Sequence, residues 1–141
     1  MEQYSRRTFT GLVAASVSLT TSALQAASLP TRRLGAIDFQ ASILGIGAQY
    51  LGDPALEASM ADRVVGEAIE SGVNYIDTAP TYGVSEERLG RALKGKRDKV
   101  FLVSKVETLT SGDALYQVRD SLRKLQTDHL DCVLIHNISR T

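Results

Sequence analysis

The chain has 141 residues, 16 basic and 16 acidic side chains, and 43% hydrophobic content. That balance excludes a disordered or fibrous polypeptide and leaves room for one globular domain. With no net charge and no long basic run there is no electrostatic reason to expect nucleic acid, so the expected partner is a small molecule.

Residues 1–28 differ from the rest. Ser5-Arg6-Arg7-Thr8-Phe9 precedes an uncharged stretch rich in Ala, Ser, Thr and Leu that ends in small residues at Ala26 and Ala27. A positive start, a mildly apolar middle and a small-residue exit predict a secretory signal, and the Arg pair resembles the twin-arginine export type. The domain over residues 29–141 is then expected in the periplasm or beyond. Ser and Thr interrupt the apolar run too often for a spanning helix, so no stable membrane span is expected after cleavage.

From Thr31 the chain alternates short apolar runs with helix-period segments. "RRLGAIDFQAS" predicts a hairpin with Gly35 in its turn, and "ILGIG" over 43–47 a first strand. A helix fits residues 59–71, where Ala61, Val64, Val65, Ala68 and Ile69 share a face and Gly72 suits the left-handed cap. "VNYID" over 73–77 reads as the second strand. Ser85 is the expected N-cap of a short helix through Leu93, with Glu86 and Glu87 favouring its dipole. "KVFLVSK" over 99–105 reads as the third strand. Thr110 and Asp113 fit a capping box before Leu115, Val118, Leu122 and Leu125 at helical spacing. "LDCVLIH" over 130–136 is the fourth strand, with Cys132 read as a small buried residue.

Apolar strands separated by helices imply a parallel sheet with crossover connections, either an open doubly wound sheet or a barrel. Asp77, Lys105 and His136 end successive strands, one β/α unit of about 30 residues apart, so they gather at the C-terminal edge of the sheet. Tyr82 follows Asp77 in the adjoining loop. Each residue alone has an ordinary explanation as a turn, loop or strand-end group. Together they suit protonation of an oxygen that becomes negative, because an ammonium beside a phenol favours the phenolate and a carboxylate keeps a buried ammonium charged. His136 is placed to orient the oxygen. Nothing in the set donates electrons, so a reduction needs a cofactor.

With these residues in place the sequence resembles the aldo-keto reductase family. "LGAIDFQASILGIGA" is similar to its N-terminal hairpin and first strand, "NYIDTAPTYGVSEERLGRAL" to its Asp-Thr-Ala…Tyr-Gly…Ser-Glu…Leu-Gly signature, and "VFLVSK" with "SLRKLQTDHLDCVLIH" to the segments that supply a lysine and a histidine. The resemblance implies a (β/α)8 barrel that uses NADP(H), or NAD(H), to reduce an aldehyde or ketone. It implies Tyr82 as general acid, Lys105 and Asp77 tuning it, and His136 orienting the carbonyl. Gly47, Ala48, Gln49 and Asp77 are expected at the cofactor, and His136 and Asn137 at the substrate.

No metal is expected, because His129, Cys132 and His136 have no common zinc spacing, and "LGIGAQYLG" lacks the Rossmann fingerprint. Such a barrel needs about 250 residues. The chain is therefore read as the first four β/α units behind a hairpin, inactive alone and able to self-associate through unpaired strand edges. The alternative is a non-catalytic regulatory or inert fragment on the same scaffold.

Overall fold

The structure is a computed structural model that describes residues 29–137. The secretory signal expected over residues 1–28 lies outside the described residues.

The hairpin forms as expected. Strands β1 (Thr31–Arg33) and β2 (Gln40–Ser42) pair antiparallel with Arg32 opposite Ala41, and Gly35 takes φ 57° in the turn. It is tied to the sheet through Asn74: the Ser42 N–H donates to Asn74 Oδ1 at 2.7 Å, the Asn74 N–H to Ser42 Oγ at 3.0 Å and Asn74 Nδ2 to Gln40 O at 2.8 Å. Phe39 packs on Phe101, and Phe101 stacks on Tyr75, with centroids 5.1 and 5.6 Å apart. Asn74 and Phe101 sit where their strands begin, so the hairpin covers the N-terminal edge of the sheet.

Strands β3 (Ile46–Gly47), β4 (Tyr75–Asp77), β5 (Phe101–Val106) and β6 (Cys132–Ile135) form a parallel sheet in the order β3-β4-β5-β6. The first strand is shorter than expected. Ile43 and Leu44 leave the ladder because the Ile43 N–H donates to Pro30 O and Leu44 O accepts from Ser42 Oγ. Both side chains are exposed.

Between the strands lie α1 (Ala58–Glu70), α2 (Ser85–Ala92) and α3 (Ser111–Leu125). In α1, Ala61 and Val65 are buried, Val64 is exposed, and Gly72 follows at φ 95°. Ser85 is not an N-cap: Val84 takes that place and Ser85 is the first residue inside α2, its hydroxyl engaged elsewhere. At α3 the Thr110 hydroxyl bonds Asp113 instead of the helix backbone, so the capping box is not formed. Leu115 is exposed, and Leu125 is the buried member of its stripe. Cys132 is half-buried rather than core, because it lies on the edge strand.

The helices bury one face of the sheet. Ala61 and Val65 of α1, Leu89 of α2 and Leu125 of α3 join Ile76 and Leu102 in one apolar cluster. Each of the Val, Leu and Ile side chains contributes roughly 1.5–3 kcal/mol when fully buried. The alternating residues Tyr75, Asp77, Phe101, Val103 and Lys105 face the other way. No barrel closes among the described residues, and Val133, Leu134 and Ile135 of the edge strand are exposed.

Helices α2 and α3 meet at Gly90, where a Cβ would lie 2.5 Å from Lys124 O and 2.8 Å from the Leu125 carbonyl carbon. Those are backbone atoms at a helix end, so they cannot rotate away. Gly90→Ala is expected to destabilise the chain by about 1–3 kcal/mol despite the better helix propensity of Ala. A urea unfolding midpoint no lower than that of the unchanged chain would contradict this close packing.

Candidate active site

Parallel strands in this register bring the three strand-end residues to one edge and one face. Asp77 is the last residue of β4 and lies opposite Val103, so Lys105, two residues further along β5, projects to the same side. Lys105 is 8% exposed, and its ammonium donates to Asp77 Oδ1 at 2.6 Å and to Thr78 O at 2.8 Å. A buried ammonium is tolerable only with such partners, since an unpaired one loses several kcal/mol of hydration. Its Nζ also lies 4.7 Å from the centre of the Tyr82 ring. The charge can therefore act on the phenol through the ring face.

Tyr82 stands on a loop, and two close backbone contacts hold that loop. Gly83, at φ 58°, packs against Gly52, and a Cβ on Gly52 would collide with Tyr82 O. Only glycines allow the loop after β4 to lie on the 3-10 turn Ala48–Gly52 that follows β3. The turn is held by α2. Buried Ser85 donates to Ala48 O at 2.8 Å and meets Thr78 Oγ1 at 3.0 Å, while Arg88 donates to the carbonyls of Leu51 (2.6 Å), Asp53 (2.8 Å) and Leu56 (2.6 Å). Arg88, Ser85, Thr78 and Gly52 were not singled out from the sequence as supports. A buried arginine that serves carbonyls has no carboxylate at a telling spacing.

His136 follows β6, and its ring stands edge-on to Tyr82, centroids 5.7 Å apart at 83°. Its backbone N–H donates to Val106 O at 2.8 Å, and its Nδ1 lies 2.9 Å from Glu107 Oε1. Glu107 also escaped the sequence reading; its place two residues after Lys105 was the available signal. Hydrogen bonds from Thr81 first and His136 second hold the Glu107 carboxyl below the usual carboxylate range. Tyr75 is the other phenol on this face. Burial first and the Asp77 charge second push it above the ordinary tyrosine value, which disfavours it as a proton donor.

Of the residues expected at a cofactor, Gly47 lies opposite Asp77 across β3 and β4, and a Cβ on it would meet nothing within 4 Å. Open space therefore adjoins Asp77, whose side chain is 28% exposed with one oxygen engaged by Lys105. Gln49, two residues after Gly47, is exposed. Ala48 is fully buried, so its side chain belongs to the core. Asn137, exposed at φ 52°, follows His136 at the same edge.

A groove of about 550 Å³ lies at the opposite edge, lined by Arg97, Asp98, Leu122, Arg123, Asp128 and His129 among others. It offers no comparable set, because Arg97 pairs with Asp131, Arg123 with Asp120 and His129 with Asp128. Among the described residues no group of His, Cys, Asp and Glu could hold a metal ion, and no helix is long and apolar enough to cross a membrane.

Residues 43–141 match the family described as aldo/keto reductase. Methylglyoxal reductase YeaE of Escherichia coli is 40% identical over 103 residues, which are 70% of this chain and 36% of that protein. A putative aldo-keto reductase from Pseudomonas aeruginosa superposes with TM-score 0.76 at 32% identity, covering 84% of this chain and 51% of that one. An aldo/keto reductase from Klebsiella pneumoniae in complex with NADP and acetate superposes with TM-score 0.67 at 34% identity, covering 76% and 39%. The chain spans about two fifths of the length of curated relatives that it matches.

The lowered Glu107 carboxyl sets the sign of one pH effect. A folded value below the unfolded one gives stability that is present above the usual carboxylate range, near pH 4–5, and lost as pH falls through the folded value. The side chain is one-third exposed, so the effect is small. Unfolding midpoints of the unchanged chain and Glu107→Gln are expected to differ near neutrality and to converge in acid. A gap that widened as pH fell would have the wrong sign.

Proposed function

Because the chain belongs to the aldo/keto reductase family, we propose that it supplies the proton-donating edge of an enzyme that reduces an aldehyde or ketone to an alcohol with NADP(H), or NAD(H). The observation that carries this reading is the Lys105–Asp77 pair beneath the face of Tyr82, with His136 beside the same ring. The nicotinamide, when bound, supplies a hydride to the carbonyl carbon. Tyr82 donates its phenolic proton to the carbonyl oxygen as that atom becomes negative. Lys105 stabilises the phenolate that remains, Asp77 keeps Lys105 charged and directed, and His136 orients the carbonyl. Open space at Gly47 and the exposed side of Asp77 suit one edge of the cofactor, with Gln49 and the Ala48 backbone beside it. Asn137 borders the substrate.

We assign residues 29–141 to the first four β/α units of a (β/α)8 barrel. Exposed Ile43 and Leu44 before β3 and Val133, Leu134 and Ile135 on β6 leave apolar edges that other β/α units would cover. The 141-residue chain alone is therefore expected to self-associate, seen by sedimentation, and to oxidise NADPH poorly with a reactive aldehyde. Robust turnover by that chain would overturn its proposed inactivity. Residues 43–137 grafted into a full-length related reductase are expected to support turnover. Tyr82→Phe in that chimera should lower it by about 10²–10⁴-fold with NADPH binding retained. An unchanged rate would remove Tyr82 from its role.

The Arg6-Arg7 leader supports a periplasmic or exported location by the twin-arginine route. Residues 1–30 fused to a folded reporter are expected to export it. Retention in the cytoplasm on changing both arginines to lysine is the expected control, and export that ignores the change would exclude this route.

A further inference from the structure

Glu107 has no part in the proton transfer, yet it is bonded from two sides. Its Oε1 lies 2.9 Å from His136 Nδ1, and its backbone N–H donates to Gln117 Oε1 of α3 at 2.7 Å. The histidine has a second anchor in its own N–H, bonded to Val106 O at 2.8 Å. The imidazole is thus held at both ends of its side chain, edge-on to Tyr82.

An ionised carboxylate only accepts hydrogen bonds, so the ring nitrogen that faces it must bear a proton. Nδ1 of His136 is then N–H, and Nε2 is the nitrogen left for a substrate. In the neutral ring Nε2 is an acceptor; in the imidazolium it is a donor. A carbonyl oxygen can only accept, whereas an alcohol hydroxyl can donate. We propose that Glu107 is a positioning residue that locks His136 in the Nδ1–H form, so that the imidazolium binds the carbonyl substrate and the neutral ring binds the alcohol.

The charges around the ring agree with this assignment. From the loop after β4 comes the Tyr82 phenol, from β5 the Lys105 ammonium, and from the end of β4 the Asp77 carboxylate that pairs with it. Lys105 and Asp77 offset one another. Glu107 is the one charged group bonded directly to the imidazole among the described residues. The choice between carbonyl and alcohol rests on the carbonyl-reductase reading; the tautomer rests on the Glu107 contact alone.

Long-range ¹H–¹⁵N spectra of the 141-residue chain read the tautomer directly, and the chain has two histidines, which His129→Gln separates. Above the imidazole titration, His136 is expected to show a protonated Nδ1 and a bare Nε2. Glu107→Ala should move this signature toward the other tautomer, while Glu107→Gln, whose amide oxygen still accepts, should keep it. The Glu107 side chain is partly exposed, so neither substitution opens the core. A bare Nδ1 in the unchanged chain, or an unaltered signature in Glu107→Ala, would overturn the assignment. The measurement needs neither cofactor nor turnover, so failure of the chimera to reduce aldehydes would count against the reductase reading alone.

Discussion

A charged lysine buried in the sheet is the constraint on which the site depends. Lys105 is nearly inaccessible, and Asp77 and the Thr78 carbonyl replace the water that its ammonium loses there. Removing one partner of such a pair typically costs about 3–5 kcal/mol, because it strands the other charge. Asp77 and Thr78 come from the end of β4 and Lys105 from β5, so the pair exists only if these strands are neighbours in this register. Two ammonium protons are committed to these acceptors. The same ammonium lies over the Tyr82 ring.

Tyr82 is placed by different means. Its loop has little regular structure, and a phenol on a free loop would be too mobile to stay beside the Lys105 ammonium. Two glycines allow that loop to rest on the turn after β3, and Arg88 and Ser85 of α2 hold the turn through its carbonyls. The helix that follows the loop therefore fixes both sides of the contact. Arg88 is nearly buried and its charge is distributed over three carbonyl oxygens. That makes it a rigid fork rather than a salt bridge. Ser85, which looks like an N-cap in the sequence, belongs to the same arrangement.

Much of this was legible beforehand, for identifiable reasons. Hydrophobic period and turn residues gave the hairpin, the helices and the order of strands, because Gly35 and Gly72 take the positive φ that their positions require. The spacing of Asp77, Lys105 and His136 forecast their common edge, since parallel strands joined by helices must all point the same way. The reading failed where a side chain had two available partners. Thr110 and Asp113 chose each other over the helix backbone, and Ser85 chose the Ala48 carbonyl. It failed for a different reason at Leu115, which keeps to the periodic stripe but is exposed.

By itself, then, the sequence determined which chemical groups stand at the C-terminal ends of the strands, and in what order, because residue type and strand period are local properties. Tertiary structure alone decided what each group touches. That the Lys105 ammonium lies over the Tyr82 ring, that Glu107 holds His136 and that Arg88 braces the turn beside Tyr82 all depend on contacts between segments about 30 residues apart. Distances between such segments follow from packing and register, to which no short stretch of chain has access.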